Sequence, residues 1–172
     1  GKIAIDVFAQ KNNLVISSMR QAKHCASNIV SNEPVSFSFD SKVCGKIPLE
    51  LSFDRKSAKF HVIVSPYLQN PADDILHLIP KAFVLGIGCK KGTPVEIIEG
   101  RVKEELDKKY IDIRSIKAIG TIDLKRNETG LIDFAAQKKI PLHFFSAEEL
   151  SLLEGDFTPS KFVSQITGVE NV

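Results

Sequence analysis

The sequence predicts an α/β protein made of two small mixed α/β units, the second a parallel sheet built by strand–helix alternation. Three observations carry this expectation. Ala82-Phe83-Val84-Leu85-Gly86-Ile87 is an uninterrupted apolar run, as expected of a strand buried on both faces. After it, short apolar runs alternate with helical stripes, the signature of a parallel sheet with right-handed crossovers. Before it, Pro66, Pro71 and Pro80 frame a polar stretch with Asn70, Asp73 and Asp74, which predicts a break between Tyr67 and Pro80. The expected units are residues 1–70 and 79–172.

In the first unit Val7-Phe8-Ala9 reads as the end of a helix running out into Lys11-Asn12-Asn13. No capping residue precedes it, so the unit reads as the remainder of a larger domain. Ser18 with Gln21 three residues on forms a capping-box pattern. Met19, Ala22, Ala26, Ile29 and Val30 then recur at helical spacing. A strand is expected at 35–39. Leu49, Leu51 and Phe53 alternate with polar residues, as do Phe60, Val62 and Val64, and Asp54-Arg55-Lys56-Ser57 between them suggests a hairpin.

In the second unit Thr93 is placed to cap a helix, with Pro94 at its first position, Glu96 completing a capping box and Val95, Ile98, Val102 and Leu106 as its apolar stripe. A strand at 116–122 leads through 123–128 into a helix carrying Leu131, Phe134 and Ala135. A further strand at 141–145 ends at Ser146, whose partner Glu149 makes another capping box. Thr158 and Pro159 open a last short helix that Gly168 stops.

Composition removes several function classes. Among 172 residues, 23 basic and 21 acidic side chains leave a formal net charge of +2, so no global field favours nucleic acid or a membrane surface. An anion site must come from a local cluster. No apolar run is long enough to span a bilayer. The 3 cysteines lack paired spacing and no two histidines have ligand spacing, which argues against a disulfide framework and a zinc site and makes a reducing cytoplasm the expected location.

In parallel sheets, ligands bind beyond the carboxyl ends of the strands, where helix amino termini point. Two loops at that edge carry paired cations, Lys90-Lys91 and Lys125-Arg126. With free backbone N–H groups they suit a ligand bearing several carboxylates or phosphates, although solvated loop lysines would look the same. Gly86, Gly88 and Gly92 fit neither a dinucleotide fingerprint nor a Walker A loop. Cys89, beside a helix start, is either a nucleophile or a small residue packed at a turn. Asp123, Lys125 and Glu128 share one short loop, which suits orienting water and stabilising an oxyanion, or equally a self-satisfied capping network.

Val84-Leu85-Gly86-Ile87-Gly88-Cys89-Lys90-Lys91-Gly92-Thr93 resembles the CbiG family of cobalamin synthesis and the related CobE proteins. The likeness continues in Gly120-Thr121-Ile122-Asp123-Leu124-Lys125, Glu128-Thr129-Gly130-Leu131, Phe157-Thr158-Pro159-Ser160 and Thr167-Gly168-Val169. Asp6-Val7-Phe8-Ala9 and Lys11-Asn12-Asn13-Leu14 resemble the central region of CbiG, which CobE lacks. Gly120 stands where the family is expected to have alanine, and the family extends beyond both ends of this chain. The resemblance implies the hydrolase that converts cobalt-precorrin-5A and water to cobalt-precorrin-5B and acetaldehyde by opening the ring-A lactone, or alternatively a CobE-like module that binds a corrinoid without catalysis. It implies no cofactor of the protein's own, since cobalt arrives in the substrate, and as partners the corrinoid and other enzymes of the pathway. On this reading Gly86, Gly88, Cys89, Lys90, Lys91, Gly92, Thr93, Thr121 and Lys125 contact substrate, Glu128 is the base and Asp123 orients its loop.

Overall fold

A computed structural model describes residues 4–40 and 58–152. The chain forms two compact units, one from Gly1–Ala82 with Leu106–Ser115, the other from Phe83–Glu105 with Ile116–Val172. Both mix helix and sheet, and the second sheet is all parallel with helices between its strands, as the sequence predicts.

The first unit contains α1 (Ile5–Lys11), β1 (Leu14–Ile16), α2 (Met19–Val30), β2 (Val35–Phe39), β3 (Phe60–Val64) and β4 (Ile75–Pro80). The strands lie in the order β1-β4-β3-β2, with β1 antiparallel to β4 and the other pairs parallel. Alternate residues of β2, β3 and β4, including Val35, Phe37, Phe60, Val62, Val64, Leu76 and Leu78, pack with Ile5, Ala9, Ala22 and Cys25 of the two helices into one core.

Several expectations change here. β4 lies inside the stretch read as a linker, and from Leu76 to Pro80 it is fully buried. Its flanking prolines and acids are turn signals, but they close off a strand. β3 has a parallel neighbour on each side, which leaves no edge for a hairpin with Leu49, Leu51 and Phe53; those three residues lie outside the described residues, as does the helix expected from Thr158. On α2 the buried positions are Ala22 and Cys25, while Met19 and Val30 are exposed. Ser18 does cap α2, accepting from the Gln21 N–H at 3.3 Å. The return bond of the box, from the Ser18 N–H to the Gln21 side-chain oxygen, does not form, and the Gln21 amide nitrogen donates to the Ala72 carbonyl at 3.0 Å.

The second unit runs β5 (Phe83–Gly86), α3 (Val95–Lys108), β6 (Ile116–Ile122), α4 (Thr129–Lys138), β7 (Leu142–Phe145) and α5 (Ala147–Ser151). Its order is β5-β6-β7. Among the described residues β6 is the central strand and β5 an edge, with Val84 57% exposed. The apolar run 82–87 is therefore not buried on both faces. Leu131, Phe134 and Ala135 of α4 are buried, as are Ile98, Val102 and Leu106 of α3. The Ser146–Glu149 capping box forms in both directions. No helix among the described residues is long and apolar enough to cross a membrane.

Residues 106–115 complete the first unit. The Asp112 N–H donates to the Pro66 carbonyl at 3.0 Å, the Leu68 N–H to the Tyr110 carbonyl at 2.6 Å, and the Ala82 N–H to the Ser115 carbonyl at 2.9 Å. Asp112 is buried, and its carboxylate accepts from the Arg114 backbone N–H, Nε and a terminal nitrogen at 2.9, 2.9 and 2.7 Å. Buried His77 donates from Nε2 to the Ser65 carbonyl at 2.7 Å, since a carbonyl can only accept. Burial lowers the His77 pKa against the opposing pull of Ser65 and Asp112. For Asp112, burial raises the carboxyl pKa, but the Arg114 hydrogen bonds outweigh this and hold it low.

Both groups have folded pKa values below their unfolded ones, so each contributes stability at higher pH that is lost as pH falls through the folded value. His77 contributes fully above its ordinary 6.5, and Asp112 fades only below 3.8. Resistance to urea should therefore decline between about pH 7 and pH 5 through His77. His77→Gln retains an N–H donor and should flatten that decline. An equal decline in the variant would assign it to another group.

Candidate functional site

The loops after β5 and β6 meet at the carboxyl edge of the second sheet. Gly92 lies between them with φ of +73°, a left-handed conformation that favours glycine. Its N–H donates to Glu128 Oε2 at 2.7 Å, across 36 positions of sequence. The other Glu128 oxygen lies 3.5 Å from Lys125 Nζ, and the side chains of Lys125 and Glu128 are only 19% and 12% exposed. One carboxylate thus clasps both loops.

Close packing accompanies the clasp. A Cβ on Gly130 would lie far inside van der Waals contact with the Thr93 carbonyl oxygen and 3.1 Å from Val95 N. Glycine at this position lets the first turn of α4 approach the start of α3. Along the same two helices Lys138 pairs with Glu99. The Thr93 hydroxyl, expected to cap α3, donates to the Lys90 carbonyl at 2.7 Å and closes the loop on itself.

The structure sorts the expected site residues. Lys90, Lys91, Gly88 and Gly92 are exposed, and Gly86 is exposed at the end of β5. Among the described residues neither Lys90 nor Lys91 forms an ion pair, whereas Lys125 is committed to Glu128. Thr121 is 4% exposed and its hydroxyl donates to the Ile87 carbonyl at 2.7 Å. It therefore holds the root of the loop and has little surface for a ligand. Cys89 is a half-buried free thiol. Burial pushes its pKa up, Lys125 opposes this and Glu128 adds to it, and the net rise disfavours the thiolate a nucleophile needs.

Asp123 opens a 3-10 turn, Asp123–Lys125, directly after β6. Its backbone carbonyl accepts from the Arg126 N–H at 3.0 Å. Its half-buried carboxylate makes no hydrogen bond or ion pair among the described residues, so the expected capping bonds to that side chain are absent. Sequence reasoning assigns no role to Gly130, although a glycine inside a predicted helix signals a packing demand. It names Arg126 as a rim cation but gives no sign of its partner: the guanidinium lies over the Phe144 ring at 5.1 Å from the centroid.

A protein-family model described as Cobalamin synthesis G C-terminus matches residues 83–172, and another described as Cobalamin biosynthesis central region matches residues 3–80. The chain is similar to the cobalt-precorrin-5A hydrolase of Salmonella typhimurium, with 30% identity over 98% of this chain and 52% of that protein. It is also similar to the cobalt-precorrin-5A hydrolase of Priestia megaterium, with 32% identity over 54% of this chain and 25% of that protein. The chain thus spans about half the length of the first relative and a quarter of the second. A solved structure of CobE, a protein from the cobalamin (vitamin B12) biosynthetic pathway, matches 52% of this chain and 66% of its own, at 28% identity and a TM-score of 0.49.

The clasp and the close approach predict two stability losses. Glu128→Ala removes a charge-assisted bond to Gly92 and leaves Lys125 without its partner, which should cost about 1.5–3 kcal/mol in urea unfolding. Gly130→Ala should cost about 1–3 kcal/mol by forcing α4 away from Thr93. Unchanged midpoints for both would show that the loops do not depend on one another.

Proposed function

The chain belongs to the CbiG family of cobalamin biosynthesis, and on that premise we propose that it is the substrate-handling part of a cobalt-precorrin-5A hydrolase. The overall reaction is cobalt-precorrin-5A plus water giving cobalt-precorrin-5B and acetaldehyde. Water adds to the ring-A lactone carbonyl and gives up a proton, and the ring C–O bond breaks to leave a carboxylate and an alcohol. The alcohol then loses its O–H proton as its C–C bond to the macrocycle breaks, so that the two-carbon fragment departs as acetaldehyde while the bonding pair stays on the macrocycle and takes up a proton. The cobalt enters with the macrocycle. The proposed setting is the cytoplasm, with other enzymes of the pathway supplying substrate and taking product.

The single observation that carries this reading is the clasped rim, on which Lys90 and Lys91, without an ion pair among the described residues, stand beside loop N–H groups in a chain that follows the family over residues 3–80 and 83–172. Such a rim suits a macrocycle carrying many acetate and propionate groups. Within it the roles divide by what each side chain has left to offer. Both oxygens of Glu128 are engaged, so it positions the loops. Asp123 keeps a carboxylate without a partner among the described residues at the end of the central strand, and we assign it the proton of the attacking water. Backbone N–H groups of the 88–91 loop face the developing oxyanion. Lys125 fixes the charge and place of Glu128.

Incubated with cobalt-precorrin-5A, the full-length protein should release acetaldehyde in step with substrate consumed. Asp123→Asn should lower turnover about a hundred-fold or more while corrinoid affinity stays near wild type. Glu128→Gln should affect affinity and stability more than turnover. Binding without any acetaldehyde would make the protein a carrier of the corrinoid, and full turnover in Asp123→Asn would remove Asp123 from the chemistry.

A further inference from the structure

We propose that Arg126 is the main carboxylate-binding side chain of this site and that Phe144 holds it ready. The inference rests on the corrinoid reading above and gives Arg126, so far only one of a pair of loop cations, a specific place in it.

The two cations of the β6 loop have different fates. The Lys125 ammonium is largely buried against Glu128, so its charge is already neutralised. Arg126 is exposed, and among the described residues it pairs with no carboxylate. Its guanidinium instead lies over the face of Phe144 on β7, 5.1 Å from the ring centroid. Stacking on an aromatic face restrains a long side chain and leaves the N–H edge of the guanidinium free. That edge matches the two oxygens of a carboxylate, a geometry lysine cannot reproduce.

The sheet sets the spacing of the free cations. Phe144 pairs with Thr121 on one side of β6, whereas Gly86, which leads into Lys90 and Lys91, pairs with Gly120 on the other. Neighbouring strands are about 4.8 Å apart, so the stacked guanidinium and the lysine loop stand over strands about 10 Å apart. Cations that stand over different strands suit a ligand bearing several carboxylates. A macrocycle with carboxylate arms around its perimeter is such a ligand, with one arm on Arg126 and another at Lys90 or Lys91.

The test uses cobyrinic acid, a cobalt corrinoid with free acetate and propionate arms, and its methyl ester, in which those arms are masked. Titration of the full-length protein should show tight binding of the acid and weak binding of the ester. Arg126→Gln should weaken the acid about tenfold and leave the ester unchanged, with an unaltered urea midpoint. Arg126→Lys should recover only part of the loss, because it keeps the charge without the fork. Lys139→Gln, which removes an exposed cation from the far end of α4, should have little effect. Wild-type affinity for the acid in Arg126→Gln overturns the assignment, as does an equal loss in Lys139→Gln, which would indicate a general field. If the wild-type protein does not prefer the acid to the ester, the corrinoid reading itself fails and this proposal falls with it.

Discussion

The second unit depends on one carboxylate placed between two loops. Glu128 reaches from the start of α4 to the N–H of Gly92, a residue 36 positions earlier, and balances its own charge with Lys125. The bond is possible only because Gly92 adopts a left-handed backbone and because Gly130 has no side chain to hold α4 away from Thr93. The glycines and the acid thus form one device. They shape a rim on which exposed Lys90 and Lys91 stand over loops tied to one another.

Much of this was legible in the sequence, but unevenly. The strand at 116–122, the apolar stripe of α4 and the Ser146 box were all found because local chemistry specifies them: a β-branched run, helical spacing, a cap with its acid three residues on. β4 was missed because prolines and acids around 66–80 are read as turn signals, whatever lies between them. β5 was misjudged because an apolar run looks the same in a central strand and in an edge strand whose exposed side carries Val84 and Gly86.

The candidate site shows a different limit. Sequence reasoning locates both loops but expects a free Glu128 and an Asp123 held by backbone bonds. Among the described residues Glu128 is the engaged carboxylate, and the Asp123 side chain makes no capping bond. Which carboxylate is left with a free oxygen depends on a contact between residues far apart in the chain, and no local pattern records it. The same holds for Arg126 on Phe144, where an unremarkable loop cation gains its orientation from the neighbouring strand.

The first unit is discontinuous in the chain. The family boundary falls between residues 80 and 83, yet Leu106–Ser115 belongs with the earlier residues and supplies hydrogen bonds to Pro66, Leu68 and Ala82. During synthesis, a nascent chain that has emerged only as far as Ala82 lacks those bonds and the Asp112–Arg114 pair near His77. Those contacts can form only after β5 and α3 have also been translated. The family boundary therefore does not coincide with the boundary of the folded unit, and a gene cut there would express a first half without its last ten-residue segment.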